Sequence, residues 1–441
     1  MKEENIKFSL RTRLGAGFTR IATSFAEESA KAFGMAQPEA LKLTLACEEI
    51  FMYLSKVGQD RETVEIEMMD GGYYVQSTFL FKTHHFNPRA FNLTAAVNLD
   101  DKSSLEEMGL LIASRTVDRF HITEGAQQSV GVVLIKEKSY PELTELGVPE
   151  IEPMNTYKVK TSDPNTLKLF IRLLLAYYPG HLYPTGFRFP GKVLDMASSG
   201  EYGVQLALDE QGRIGGGLIW RRIGSKAVES FGPYIFNQPP DSKMAQDLTD
   251  AIIGKVAKTE AIGLISRYST PELPRGYFEP LGSIDIFQTD GTVSSLPIYY
   301  RQLLEDTGCQ VWAHPGLKEF LQAEYSRLFF AREIRLTRYE GEQRSPYSVF
   351  VPQFDRSNRQ VTLRAIWDGA DAADNLSRHV AVLRSENVRN IFFEIDLSAS
   401  WQANLTETLL GKGFRPRLIL PYGGEADVVI FQFEETADSH V

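Results

Sequence analysis

Two cysteines in 441 residues, Cys47 and Cys309, are too few and too far apart for a disulfide framework or a thiolate metal site. Both are expected to be small buried apolar residues. Long apolar runs are missing too: the longest, LFIRLLLAYYPG, falls well short of the about 20 residues that cross a bilayer. The start, MKEENIKFSLRTR, has no signal-peptide h-region, so a cytoplasmic protein is expected. Basic residues are outnumbered, with 47 Lys and Arg against 57 Asp and Glu and a net charge of −10. A broad phosphate-binding surface needs the reverse balance, so neither nucleic acid nor membrane is an expected partner. No Ser-His-Asp, Cys-His or paired-carboxylate arrangement has recognisable spacing. His84 and His85 are adjacent on a strand-like run, so they point to opposite faces, and no metal site is expected.

What is present is enough apolar chain, 43%, for more than one core. Residues 1–139 read as helices FTRIATSFAEESAKAFG and LTLACEEIFMYLSKVG, strands TVEIEMM and YYVQSTFLF around a turn at Asp70 to Gly72, helix SSLEEMGLLIASRTVD and strand SVGVVLIKEK. This is an α+β layer pattern. Residues 140–154, rich in Pro and Glu, read as a linker. Residues 155–325 open with strand TYKVKT and a helix that Asp163 caps and Pro164 starts, then a shorter helix near PGKVLDMASS. Strands YGVQLALD, GGLIWRR and VESFGPYIF come next, with GRIGGG as a hairpin turn; then helix SKMAQDLTDAIIGKVAKTE, strand IGLISRYS, a helical ELPRGYFEPLG and strand SIDIFQ. Within 326–441, the stretch from RNIFFEID to VVIFQF repeats strand, helix, glycine, strand, which predicts a duplicated architecture. The strands ending near Ser269 and Ser398 are then equivalent, each leading into a helix that ends at Gly282 or Gly413.

The first block resembles the GHKL-type ATPase fold, closest to bacterial anti-sigma-factor serine kinases. In that family a helix carries LAxxEAxxNAxxH, whose Glu orients water and whose Asn holds magnesium. Here Leu45, Ala46 and Glu49 match, but Tyr53 stands at the Asn position and Val57 at the His position. Tyrosine is a poor ligand for a hard cation. The family's DxGxGF falls on Phe81, Thr83 and His85, and of its GGxGL phosphate loop only Gly109 and Leu110 remain, with Glu106 and Glu107 in place of the paired glycines. Glu49 and Gly109 are thus the residual nucleotide-site positions. The resemblance implies the fold, with the nucleotide chemistry lost.

Residues 155–325 resemble the GNAT acyltransferase fold and 326–441 a second, partial copy, so the fold class is α+β: a GHKL-type α/β sandwich, then two GNAT-like mixed-sheet domains. GNAT enzymes cradle the CoA pyrophosphate on backbone N–H groups of (Q/R)xxGx(G/A). The equivalent YIFNQPPDSKMAQDL leaves Asn237, Gln238 and Ser242 as residual positions, while Pro239 and Pro240 lack N–H groups and Asp241 adds negative charge. The tyrosine that protonates the leaving thiolate in that family aligns with Phe278 in the first copy and Leu409 in the second; Tyr277, one residue away, is the remaining candidate acid.

Tyr177, Tyr178, His181, Tyr183 and Arg188 form an aromatic stretch that either lines an acceptor groove or packs as a connector. Glu394 and Asp396 are candidate bases, with satisfaction at a strand edge the favoured reading. Two functions are compatible with these residues. One is a non-catalytic regulatory or signalling protein that binds another protein through its kinase-like domain and senses a small ligand, with no cofactor. The other is an acyl-CoA-dependent N-acyltransferase with a divergent CoA loop. ATP-magnesium or acetyl-CoA belongs only to the alternative, and oligomeric state is open.

Overall fold

A computed structural model describes residues 6–58, 62–82, 86–95, 107–124, 129–144, 147, 150–239, 242–288, 291–338, 341, 344–356 and 358–434. The architecture is mixed α+β, and the chain divides into two compact units.

The first unit holds β1 (Lys7–Arg13), β2 (Thr63–Asp70), β3 (Tyr74–Lys82), β4 (Arg119–Glu124) and β5 (Ser129–Glu137), with α1 (Thr19–Ala32), α2 (Gln37–Val57) and α3 (Met108–Thr116). Its sheet has the order β1-β2-β3-β5-β4, with every neighbouring pair antiparallel. On α2, buried Ala40, Leu43, Cys47, Ile50 and Leu54 recur three and four residues apart, so one face meets the sheet. Opposite them, buried Val64, Ile66 and Met68 alternate along β2 with more exposed neighbours. The strand β1 is absent from the sequence reading. Its Phe8 and Leu10 alternate with Lys7, Ser9 and Arg11 on an edge strand that stays largely exposed, which leaves no core signal to read. The expected helix from Ser103 is described from Met108 onward, and Thr83, His84, His85, Glu106, Pro240 and Asp241 lie outside the described residues.

This unit also takes in residues 343–351 and 365–379. Val349, Val351, Ile366 and Trp367 join its apolar core. A buried polar network fixes them: Asn92 donates to the Ser348 carbonyl at 2.8 Å and accepts from the Phe350 N–H and the Asn375 amide, each at 3.0 Å. Fully satisfied side-chain networks of this kind specify one arrangement.

The second unit contains β6 (Lys158–Lys160), β7 (Tyr202–Leu208), β8 (Ile214–Ile223), β9 (Ala227–Ile235), β10 (Gly263–Tyr268), β11 (Glu279–Phe287) and β12 (Val293–Gln302) in one sheet, ordered β11-β12-β10-β9-β8-β7-β6. Around it lie α4 (Pro164–Tyr177), α5 (Pro190–Ser198) and α6 (Met244–Val256). Asp163 caps α4 as expected, accepting from the N–H groups of Asn165 and Thr166 at 2.9 and 3.2 Å. Beyond it come the parallel pair β13 (Cys309–Ala313) and β14 (Arg332–Leu336), joined through α7 (Lys318–Leu328).

The last sheet is β15 (Val349–Asp355), β16 (Gln360–Trp367), β17 (Asn390–Asp396), β18 (Phe414–Leu420) and β19 (Val428–Phe433), ordered β15-β16-β17-β19-β18, with α8 (Ala372–Ser385) and α9 (Ser400–Gly411). The run β9-β10-β12-β11 and the run β16-β17-β19-β18 share order and direction: a parallel pair, then two antiparallel ones. β10 and β17 therefore take equivalent places.

One expected element is missing. Of residues 272–282, read from the sequence as helical, 272–278 form turns and bends and the rest belong to β11, so Gly282 lies inside a strand rather than at a helix end. Pro274 and Pro280 break the helical pattern, and Gly276 takes φ +79°, so the chain turns where the second copy builds α9. Gly413, by contrast, comes after α9 at φ +85°, as expected. At Gly282 a Cβ would sit 3.1 Å from Leu418, so its absence lets β11 approach β18. Two buried amides then tie that edge. Gln432 and Asn390 each accept from and donate to the backbone, Gln432 at Asp285 (3.2 and 2.7 Å) and Asn390 at Phe287 (2.8 and 3.1 Å).

The first unit carries a titratable group in its core. His379 is fully buried, its Nδ1 2.9 Å from the Asn375 carbonyl and its ring edge-on to Phe350. Burial lowers its pKa from 6.5, so the native form is neutral while an unfolded chain takes up a proton below that value. Its contribution to stability is therefore complete above about pH 6.5 and lost as pH falls. Melting temperature is expected to fall more steeply between pH 6.5 and 5 in the wild type than in His379→Gln. Parallel curves would remove His379 as the cause.

Candidate ligand site

Parallel pairing of β9 with β10 runs from Ala227 opposite Gly263 to Phe231 opposite Tyr268, with a register shift after Ser266. β9 continues to Ile235 beyond that pairing. Backbone groups on the side of β9 that faces no strand need partners, and hydroxyls from residues distant in sequence supply them. Tyr178 accepts from the Ile235 N–H at 2.7 Å and donates to the Ile235 carbonyl at 3.1 Å. Thr270 donates to the Pro233 carbonyl, and Tyr234 donates to the Leu182 carbonyl at 2.8 Å. Burial pushes the Tyr178 phenol well up, so it stays a donor.

Beside this parting lies a chain of buried charges. Glu229 on β9 is 1% exposed and accepts from Arg221 on β8 at 2.9 Å. Glu394 on β17 is 7% exposed and accepts from Arg364 on β16 at 2.6 Å. Arg267 on β10 stands between them, 3.3 Å from Glu394 and 3.7 Å from Glu229. Burial works against the charge on Glu394, but Arg364 and Arg267 outweigh it and hold the carboxyl below its usual range. Asp396, the other candidate base, accepts from the N–H groups of Ser398 and Glu425 at 2.9 and 2.8 Å. Both carboxylates are satisfied, as favoured from sequence, but on the central strand of their sheet and not at its edge.

A small cavity opens next to Arg267 and Tyr268. Its volume, about 20 Å³, has room for a water or one small polar group. His181, Asn358 and Gln360 complete a polar wall, and isoleucines of β11 and β12 with Leu296 form the opposite one. Of the five residues expected to line a groove, only His181 reaches this cavity. Burial lowers its pKa, which favours the neutral ring at pH 7. Tyr178 and Tyr183 are buried in packing, Tyr177 lies against Phe236 with ring centroids 5.4 Å apart, and Arg188 pairs with Glu142 at 3.4 Å.

The residual CoA-loop positions hold the chain itself. Asn237 donates to the Ile151 carbonyl at 2.7 Å, Gln238 accepts from the Met154 N–H at 2.8 Å, and Ser242 accepts from the Met244 N–H at 3.2 Å. Ile151 is buried, so this end of the 140–154 stretch is seated on the loop after β9. Tyr277 lies in a turn and not on a helix. Its hydroxyl accepts from Gln246 at 2.8 Å and donates to Asp250 at 3.4 Å, both on the exposed side of α6, and Arg301 covers its ring.

In the first unit, Glu49 and Gly109 do meet: a Cβ on Gly109 would lie 2.7 Å from the Glu49 carboxylate. Burial, with Glu48 nearby, raises the Glu49 carboxyl. Tyr53 accepts from the Asn87 N–H at 3.0 Å, and Tyr53, Phe81, Phe91 and Trp367 surround Phe86 at centroid distances of 5.6 to 6.5 Å. Glu107 is engaged by Asn87 at 2.6 Å and Arg89 at 3.4 Å. Aromatic rings and ion pairs therefore fill the space beside the positions that the resemblance assigned to magnesium and adenine.

No family model matches the sequence, and no curated protein matches it. Among the solved structures it resembles are GNAT acetyltransferases. A GNAT superfamily phosphinothricin acetyltransferase from Sinorhizobium meliloti, in complex with AcCoA, is 17% identical over 34% of this chain and 91% of its own, with a TM-score of 0.30. The GNAT family N-acetyltransferase YhbS from Escherichia coli, in complex with CoA, is 13% identical over 36% and 87%, with a TM-score of 0.27. A GNAT acetyltransferase from Staphylococcus aureus is 11% identical over 34% and 100%, with a TM-score of 0.26. Likeness at this level is a shared pattern of elements over about a third of the chain and assigns it no activity.

Sequence reasoning missed Arg267, Tyr268 and Gln360, which three-dimensional pairing of β10, β16 and β17 brings together. One signal was available: an arginine inside the apolar strand GLISRY requires a buried partner.

Replacing Tyr178 with Phe leaves the Ile235 N–H and carbonyl without their hydroxyl. Urea unfolding is expected to show a loss of roughly 1–3 kcal/mol. A loss within error of zero would mean that water serves those groups equally well.

Proposed function

We propose that this protein is a non-catalytic regulatory protein: a kinase-like first domain that binds another protein, and GNAT-like domains that sense a small ligand. The observation that carries this reading is the occupation of the loop after β9. Asn237 and Gln238, which stand where the resemblance puts CoA pyrophosphate contacts, hydrogen-bond residues 151 and 154 instead. Pro239 adds no N–H there. Tyr277, the remaining candidate acid, is engaged by α6 side chains.

The protein partner is supported by exposed apolar side chains on the helices of the first unit. Leu41, Leu45 and Met52 share one face of α2, and Ile21 on α1 is 51% exposed. The aromatic cluster around Phe86 favours a domain that works without nucleotide, and the location proposed is the cytoplasm. The second reading, an N-acyltransferase with a divergent CoA loop, keeps the β9-α6-β10 unit but needs the 151–154 segment to leave its seat.

Acetyl-CoA titrated into the full chain by calorimetry decides between them. No saturable binding below the millimolar range is expected, and no thiol release with a panel of amines. Saturable binding below about 50 µM, roughly 6 kcal/mol, together with thiol release, would overturn the regulatory reading.

A further inference from the structure

Arg267 is the odd cation in its cluster. Two buried carboxylates face three guanidiniums, and each carboxylate has a closer arginine of its own: Arg221 at 2.8 Å from Glu229 and Arg364 at 2.5 Å from Glu394. Arg267 keeps the longer contacts, and among the described residues its only hydrogen bond is the 3.3 Å one to Glu394. An arginine offers five N–H donors. A partly buried guanidinium with most of its donors uncommitted to the protein has them open to water or to an acceptor in the cavity.

The wall around it has the same bias. Tyr268 and Gln360 line the cavity, and neither makes a side-chain hydrogen bond to a described residue. Tyr268 has its phenol pushed up to about 12 by burial, so it remains a donor. His181, neutral and half-buried, adds one ring N–H. Asn358 is committed elsewhere, donating to Asp355 at 2.8 Å. Among the described residues, no carboxylate lines the cavity. The opposite wall is aliphatic: Ile284 and Ile286 from β11, Leu296 and Ile298 from β12.

We infer that this cavity is a binding site for a small aliphatic carboxylate, its anion held by Arg267, Tyr268 and Gln360 and its carbon body laid against the isoleucines of β11 and β12. The inference deepens the ligand-sensing reading and names the ligand class of the site. A planar carboxylate accepts from a guanidinium fork and a hydroxyl together, with no donor to conflict with the donor-rich wall. The enclosed space suits a short head group, and a branched chain of a few carbons extends toward the open side. An amine meets no carboxylate here. Inorganic anions satisfy Arg267 but leave the aliphatic wall bare.

The test uses the full chain and calorimetry, with acetate, propionate, isobutyrate and isovalerate as probes, isobutyramide and isobutylamine as neutral and cationic isosteres, and inorganic phosphate as the simple anion. Isobutyrate or isovalerate is expected to bind at least tenfold more tightly than isobutyramide, isobutylamine and phosphate. Gln360→Ala and Leu296→Trp, which leave the charge cluster intact, are expected to weaken binding at least fivefold, and Arg267→Lys to weaken it while the fold persists by circular dichroism. Phosphate or the amide binding as tightly as the carboxylates, no carboxylate binding below 10 mM, or binding indifferent to both Gln360→Ala and Leu296→Trp would each overturn the inference. The result is independent of the acetyl-CoA titration: CoA binding would change the reading of function without touching the carboxylate site, and the reverse holds equally.

Discussion

Burying Glu229 and Glu394 constrains how the strands of the second unit around them can pair. A carboxylate taken out of water without a counter-charge costs several kcal/mol, so each must meet an arginine wherever the strands place it. The partners come from β8, β10 and β16, and the strands must hold the register that brings them together. Removing one partner would strand a charge, which is why such a cluster fixes an arrangement even where its net contribution to stability is small. The cavity is a by-product of that arrangement. Arg267 arrives as the third guanidinium and faces the open space left beside β10.

The edge of β11 solves a second problem of the same kind. An unpaired strand offers rows of N–H and carbonyl groups that attract other chains. Here side-chain amides, not a further strand, answer it: Asn390 and Gln432 behave as pieces of backbone, each giving one hydrogen bond to β11 and taking one from it. Tyr178 does the same for Ile235 with a single hydroxyl. In each case the backbone group that pairing left over is met by a residue distant in sequence.

That distance is the reason the sequence is legible for elements and poor for the site. Helices such as α2 and α4 show in three- and four-residue spacing and in the Asp163 cap, and the β2-β3 hairpin shows in its turn at Asp70 to Gly72. Those signals are local. β1 escapes such a reading because an exposed edge strand that alternates single apolar residues with polar ones has no apolar run, and the helix expected over 272–282 rests on a repeat while Pro274 and Pro280 argue against it. Of the site, His181 is visible as an unusual residue in an aromatic stretch, whereas Gln360 has no local mark and acquires meaning only when β16 pairs with β17 beside β10.

The repeated strand order bears on how one pattern comes to serve two ends. β9-β10-β12-β11 and β16-β17-β19-β18 run the same way, and each begins with a parallel pair joined through a helix, α6 or α8. A parallel pair requires such a crossover, so both runs keep the costly element of the pattern. What differs is the stretch after the second strand of the pair: turns through Pro271 and Pro274 in one copy, the helix α9 in the other. Without a helix there, the first copy lets the glycine at 282 bring β11 close to β18, and the amides of the second copy close the gap. Where one run has turns and the other a helix, β11 of the first lies against β18 of the second, and the charged cluster and its cavity form where strands of the two runs meet.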